Sequence, residues 1–336
     1  MIYTSFNRVA VISVLLILFG AGCQRIYHYS MVQDYALFDG QLYLLVQHEE
    51  GIDKASPLSH SLAFHPTRRV IGIARCRLDE KKDLVLELVA KREFKTEPYL
   101  SFTIALLSST NSFVVQTARG EFENISLGGD KESETPKRLS ADRIMLSASR
   151  KLLLGCGTWS WVVDTKSLLN FSNVPTLDSN LIVCALLQRK DFRALAFSDD
   201  LSVVAFQNWS TNTDTVEIIH MADIARTNKM ALPEGNFTLQ SIHQLSTDWR
   251  LLFTHLKDGF KEDAVVFDSV GKELARGEIL GKPVSDASLT TIVSIGQTQA
   301  MQLNPGERLP IKVWLPNEKR QFTILADTSS VLKAMR

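Results

Sequence analysis

The sequence predicts an all-β domain assembled from one repeated strand–turn–strand unit. Three observations carry that expectation. Apolar segments rich in Val, Leu, Ile and Phe run only four to eight residues before a turn residue intervenes, which favours strands over helices. Amphipathic stretches of helical period are nearly absent. The same small block, an apolar strand, a Ser- and Asp-containing turn and a second apolar strand, returns along most of the chain.

The clearest copies are Leu195-Ala196-Phe197-Ser198-Asp199-Asp200 leading into Leu201-Ser202-Val203-Val204-Ala205-Phe206, and Leu245-Ser246-Thr247-Asp248 leading into Leu251-Leu252-Phe253. Looser copies begin at Leu107-Ser108-Ser109, Leu146-Ser147-Ala148 and Val284-Ser285-Asp286, and one with His65-Pro66 in its turn begins at Ala63-Phe64. Anchored at residues 64, 107, 146, 197, 245 and 284, the intervals are 43, 39, 51, 48 and 39. Their mean of 44 falls in the range of about 40 to 50 residues expected for a four-stranded propeller blade. A third apolar strand follows in several copies, at Trp161–Asp164, Val216–Met221, Val265–Asp268 and Ile311–Leu315. Two of these close on Asp. Asp and Ser belong there because their side chains bond nearby backbone and close tight turns.

On these residues the chain, over roughly residues 35 to 320, resembles β-propeller repeat proteins of the WD-repeat or YVTN type. It departs from true WD repeats in lacking their Gly-His dipeptide and a regular Trp-Asp. The resemblance implies a propeller of about seven four-stranded blades, with six or eight as neighbouring counts and a first blade opening at Tyr35-Ala36-Leu37-Phe38. Paired β-sandwiches are the alternative, since they also alternate short strands and turns, but they need no recurring block of this length.

Ahead of the repeats, Arg8 precedes an apolar run from Val9 to Phe19, and Gly20-Ala21-Gly22 lead into Cys23. Spanning a bilayer takes roughly 20 apolar helical residues; this run is shorter and suits a cleaved export signal. The pattern resembles a bacterial lipoprotein signal, with Gly20 standing where an aliphatic residue is usual. That resemblance implies lipid on Cys23. The expected organisation is a signal peptide at 1–22, a lipid anchor and tether at 23–33, and the propeller domain at 34–336. The expected location is the cell envelope, membrane-anchored at the outer membrane or cell surface, with a soluble periplasmic or secreted form as the alternative.

Lys plus Arg and Asp plus Glu each total 37, so the formal net charge is zero. Such a surface argues against nucleic acid, whose binding demands a basic face to displace counterions. Cys76, Cys156 and Cys184 remain beyond Cys23, with no Cys-x-x-Cys spacing. Cys156 and Cys184 are the likeliest disulfide pair, and buried free thiols are the competing reading.

Signatures of chemistry are sparse. His48-Glu49-Glu50, His60 and His65 are the densest set of metal-ligand types, but their spacing fits no established site and residues 48 to 60 read as a polar loop, so no metal or other cofactor is assigned. Paired acids at Asp79-Glu80, Asp199-Asp200 and Glu262-Asp263 read as turn residues. Gly155-Cys156-Gly157 reads as close-packed strand, and the tryptophans as wedges between blades. No Gly-x-Ser-x-Gly elbow, phosphate loop or His-Glu-x-x-His is present. The expectation is a non-catalytic binding or scaffold propeller holding a protein or peptide on one face, with no catalytic residue assigned. The alternative is a hydrolase, lyase or quinone-dependent dehydrogenase built around the central channel. Three or more ionisable side chains converging there with perturbed pKa values would favour the enzyme.

Overall fold

The computed structural model describes residues 26–55, 62–77, 84–94, 107–109, 112–118, 121–126, 137–138, 143–156, 161–164, 192–208, 215–245, 248–257, 261–296 and 302–336. These residues form six sheets, antiparallel and of consecutive strands apart from one parallel pairing made by β4. Sheet 1 holds β1 (Ile26–Phe38), β2 (Gln41–Ala55), β3 (Leu62–Arg77) and β5 (Glu87–Phe94), while β4 (Leu84–Val85) leaves it for sheet 6. Sheet 2 holds β6 (Leu107–Ser109), β7 (Ser112–Ala118), β8 (Glu121–Ser126) and β9 (Lys137–Arg138). Sheet 3 holds β10 (Arg143–Leu146), β11 (Leu152–Cys156) and β12 (Trp161–Asp164). Sheet 4 runs through β13 (Phe192–Phe197), β14 (Val203–Asn208), β15 (Thr215–His220) and β16 (Asp223–Ala231). Sheet 5 comprises β17 (Asn236–Leu245), β18 (Asp248–Lys257), β19 (Lys261–Asp268) and β20 (Glu273–Ile279). Sheet 6 comprises β21 (Val284–Ser285), β22 (Ile292–Ile295), β23 (Arg308–Leu315) and β24 (Arg320–Asp327), and the chain ends in helix α1 (Ser329–Met335). Among the described residues no helix is long and apolar enough to cross a membrane.

Inner strands bury both faces, and the period-2 alternation of a strand sends successive side chains into different inter-sheet cores. On β14, Val203 and Ala205 enter the core shared with sheet 5, whereas Val204 and Phe206 enter the core shared with sheet 3. On β18, Leu251 and Phe253 face sheet 4 and Leu252 faces sheet 6. Trp314 on β23 is buried between sheets 5 and 6, as a wedge. Phe113 on β7 packs among Leu45, Ile71 and Ile73 of sheet 1. Cores therefore join sheets 1 and 2, 3 and 4, 4 and 5, 5 and 6, and 6 and 1. Among the described residues the sheets are thus packed face to face in succession from sheet 3 through sheets 4, 5, 6 and 1 to sheet 2, the arrangement of a β-propeller. Burying one such Val, Leu or Phe contributes roughly 1.5–3 kcal/mol.

Three features of the last sheet close the ring. Val293, Ile311, Val313 and Ile324 share one core with Leu42, Leu44, Val46 and Val70 of sheet 1. β4 pairs in parallel with the end of β24, matching Leu84 to Ala326 and Val85 to Asp327. Helix α1 buries Val331, Leu332 and Met335 in that same core, and Ser330 Oγ donates to the Leu86 carbonyl at 2.6 Å.

The turn between first and second strands repeats in detail. The Ser147 and Ser198 amides donate to the carbonyls of Leu152 and Val203 at 3.0 Å, and their hydroxyls accept the return bonds at 3.1 and 3.0 Å. Asp286 bonds Thr291 in the same way, through its amide at 3.1 Å and its carboxylate at 3.0 Å. Three residues after each, Arg150, Leu201 and Leu289 stand at φ 58°, 58° and 54°. The expected Asp-closed strand is present too: Asp268 Oδ1 accepts the amides of Val270 and Lys272 at 3.1 and 2.8 Å.

Two expectations change. His65-Pro66 is not a turn, because β3 runs unbroken through it, with a bulge opposite Glu50 and Gly51 that accommodates the missing proline N–H. The first blade that opens at Tyr35 is present, its turn at Asp39-Gly40 with both residues at positive φ. Removing the copy at 64 leaves six sheets among the described residues, the lower of the counts considered. Finally, strand β1 starts at Ile26, inside the stretch expected to be tether, and pairs with β2 from Ile26↔Ile52 to Phe38↔Gln41.

Candidate functional site

The first strands of neighbouring sheets approach one another, β13 against β17 and β21 against β1, which places them around the axis of the ring. A polar network connects the ends of these strands and the turns that follow. Arg150, held out by its left-handed backbone on the sheet 3 turn, reaches Asp34 on β1. Its Nη2 donates to Asp34 Oδ1 at 3.0 Å and to the Tyr35 carbonyl at 2.8 Å, and its Nη1 donates to Asp34 Oδ2. The pair ties sheet 1 to sheet 3, with sheet 2 between them in chain order. A bulge at Gln33 re-aims β1 where Asp34 leaves it.

The same network continues around the axis. Asp199, one of the paired acids, accepts the Ser149 amide at 3.2 Å and so ties the turns of sheets 3 and 4. His243 on β17 contacts Ser241 Oγ at 2.8 Å, Ser285 Oγ at 3.2 Å and the Ala287 carbonyl at 3.3 Å, which joins sheets 5 and 6. The Tyr35 hydroxyl donates to the Lys282 carbonyl and accepts the Ile295 amide, at 3.3 Å for the latter, joining sheets 6 and 1.

Electrostatics separate the locked groups from the responsive ones. Burial pushes His243 down to about 4, against the opposing pull of the Ala287 carbonyl and the Asp199 and Asp286 carboxylates. Its imidazole is therefore neutral and fully engaged. Burial likewise raises the Tyr35 phenol far above its usual range, so it acts as a hydrogen-bonding strut. Lys282 differs. It keeps contact with solvent, yet desolvation pulls its amine below the ordinary lysine range, with Asp34 opposing and Arg150 adding to the effect. On the same turn as Arg150, the Ser149 hydroxyl is buried without a hydrogen-bond partner.

The sequence marked Asp199 and Ser285 only as turn residues of the repeat and Tyr35 only as the start of a strand, and it gave no sign of the others. Asp34, Arg150 and Lys282 lie far apart in the chain, and single charged residues at strand ends carry no spacing signal. Of the residues that were singled out, Cys23, Cys184 and His60 lie outside the described residues, as does the side chain of Cys156. The lipidation and the Cys156–Cys184 disulfide therefore concern parts beyond the description. Cys76 is a free, buried thiol pushed up to about 12 by burial, a packing residue rather than a nucleophile. His48 and Glu50 are not in a loop. Both lie on β2, and His48 is only 1% exposed, which removes the reason for reading it as a solvated histidine.

The sequence matches no protein-family model and no curated protein sequence. Solved structures align with this chain only at low identity. TolB from Acinetobacter baumannii aligns over 89% of this chain and 80% of its own, with TM-score 0.46 and 8% identity. Kluyveromyces lactis Hsv2 aligns over 89% and 98%, with TM-score 0.38 and 11% identity. Prolyl oligopeptidase B from Galerina marginata aligns over 94% of this chain and 53% of its own, with TM-score 0.42 and 12% identity.

Proposed function

We propose that this propeller is a non-catalytic binding or scaffold protein that holds a protein or peptide at its axial face, exported and anchored in the cell envelope through lipid on Cys23. The observation that supports the binding reading is the pairing at the axis. Three ionisable groups there have perturbed pKa values, the number that favours an enzyme, but two of them, Tyr35 and His243, are bonded into the scaffold. Proton transfer needs a group that can change state near neutral pH. Lys282, exposed and near the Asp34–Arg150 pair, supplies a cationic contact for a carboxylate-bearing ligand.

A catalytic reading rests on the same Lys282. A desolvated amine is a more available nucleophile than an ordinary lysine. The experiment that separates them is capture of native partners by the membrane-held protein, with Lys282→Glu as the paired control. Binding predicts a partner whose recovery falls at least tenfold in the variant. Failure to capture any partner, together with turnover of a screened substrate that Lys282→Ala abolishes, overturns it. The anchor has its own readout: Cys23→Ser should move the protein to the soluble fraction, and unchanged membrane retention counts against the lipid.

A further inference from the structure

The opposite end of β1 carries a different constellation. His28 pairs with Glu50, and Ser30 with His48, across the β1–β2 ladder, so all four side chains share one face. One nitrogen from each imidazole and one carboxylate oxygen of Glu50 lie within 4.8 Å of one another. The Glu50 Oε1 atom is 3.7 Å from His28 Nδ1 and 3.7 Å from His48 Nε2, and the two rings stack with centroids 5.7 Å apart.

His48 Nε2 is the telling atom. It is buried with no hydrogen-bond partner, on a residue 1% exposed, and it faces Glu50 and His28. A buried polar nitrogen left without a partner costs about 1–3 kcal/mol, so it calls for one. The other nitrogen, Nδ1, is 2.7 Å from Ser30 Oγ. Donation from Nδ1–H to Ser30 sets the tautomer that aims the Nε2 lone pair into the cluster, the arrangement that a metal-bound histidine takes from its outer partner. Arg68 Nη1 donates to Glu50 Oε1 at 3.0 Å and steadies the carboxylate.

We propose that His28, His48 and Glu50 form a binding site for zinc or a similar divalent transition-metal ion. Two imidazoles and a carboxylate are a zinc ligand set, with water completing a tetrahedron. Ligands at about 2.0–2.1 Å from zinc stand about 3.3 Å apart, so the cluster must contract. His28, whose side chain is 39% exposed, and Glu50, at 22%, have the room to move toward fixed His48. Solvent reaches the site from the His28 side. Bound metal would pin the start of β1 to β2 beside the last residue, since Arg68 Nη1 also donates to the Arg336 carbonyl at 2.6 Å.

The test uses the purified full chain, stripped by chelator and titrated with zinc against a chromophoric competitor, with cobalt(II) as the spectroscopic probe. The expected result is a site with micromolar or tighter affinity, visible d–d absorption of four-coordinate cobalt, and a melting temperature a few degrees higher at a hundredfold excess of zinc over Kd. His28→Gln and Glu50→Gln, which remove partly exposed side chains, should each weaken binding at least tenfold and lose the cobalt spectrum while melting as wild type in chelator. His48→Gln should do the same where it folds. Absence of binding by the full chain, or unchanged affinity in both His28→Gln and Glu50→Gln, overturns the proposal.

Discussion

Replacing His243 with glutamine should flatten the acid sensitivity of the fold. The wild-type imidazole titrates near 4 in the folded state and near 6.5 in the unfolded chain. Its folded pKa is lowered, so the unfolded state takes up the proton first as pH falls. No penalty exists above about pH 6.5; stability then drops by about 1.4 kcal/mol per pH unit until the folded value is reached. Across that window of about 2.5 units the loss is about 3 kcal/mol. His243 is 2% exposed, so solvent screening takes little from this figure. Asp200 and Asp327, whose carboxyls are held low by hydrogen bonds from Ser198 and Ser202 and from Ser329, add stability that is lost at lower pH, as protonation reaches their depressed values. That contribution is common to both chains and cancels in their difference. Urea unfolding of wild type and His243→Gln at pH 7.5, 6.5, 5.5 and 4.5 gives the comparison. The wild type should lose about 2–3 kcal/mol more than the variant between pH 7.5 and 4.5. Parallel stability–pH curves would refute the view that this imidazole is neutral and sealed.

The Asp34–Arg150 pair, with side chains 19% and 11% exposed, should behave as a coupled unit. Each alanine variant should cost about 2–4 kcal/mol by stranding its partner, and the double variant should cost well under their sum, read by a denaturant double-mutant cycle; an additive result would show that the pair does not tie sheets 1 and 3. Gly72→Ala should strike the C-terminal latch, because its new methyl would run into the Met335 thioether and Leu88 Cδ1. The expected loss is about 1–3 kcal/mol with faster hydrogen exchange in α1, and Met335→Ala should relieve part of it; unchanged exchange in α1 would mean the helix does not rest on this glycine.

The repeat was legible because its turns are local. Ser147, Ser198 and Asp286 each accept the amide of the strand they lead into, and that chemistry needs only neighbouring residues. The first blade's Asp39-Gly40 turn was legible for the same reason, whereas the false copy at 64 arose because Ser- and His-rich residues near Pro66 mimic a turn inside a strand sixteen residues long. Tyr27-His28-Tyr29-Ser30 reads as polar tether because no apolar alternation marks it; its order comes from β2 and the residues beside it. The axial network was invisible because it is assembled from pairs such as Asp34 with Arg150, 116 positions apart. His48 and Glu50 were noticed as ligand types, but His28 joins them only through the register of β1 on β2.

The latch formed by β4, β24 and α1 also bears on the route to the folded state. The apolar face of sheet 1 that includes Val46 and Val70 is covered by Ile324, Ala326, Val331, Leu332 and Met335. Until those residues dock, the first sheet has no lid and the ring stays open where sheets 6 and 1 meet. Contacts of such long sequence separation form slowly, and a chain whose latch is undocked keeps an exposed apolar face that invites chaperones.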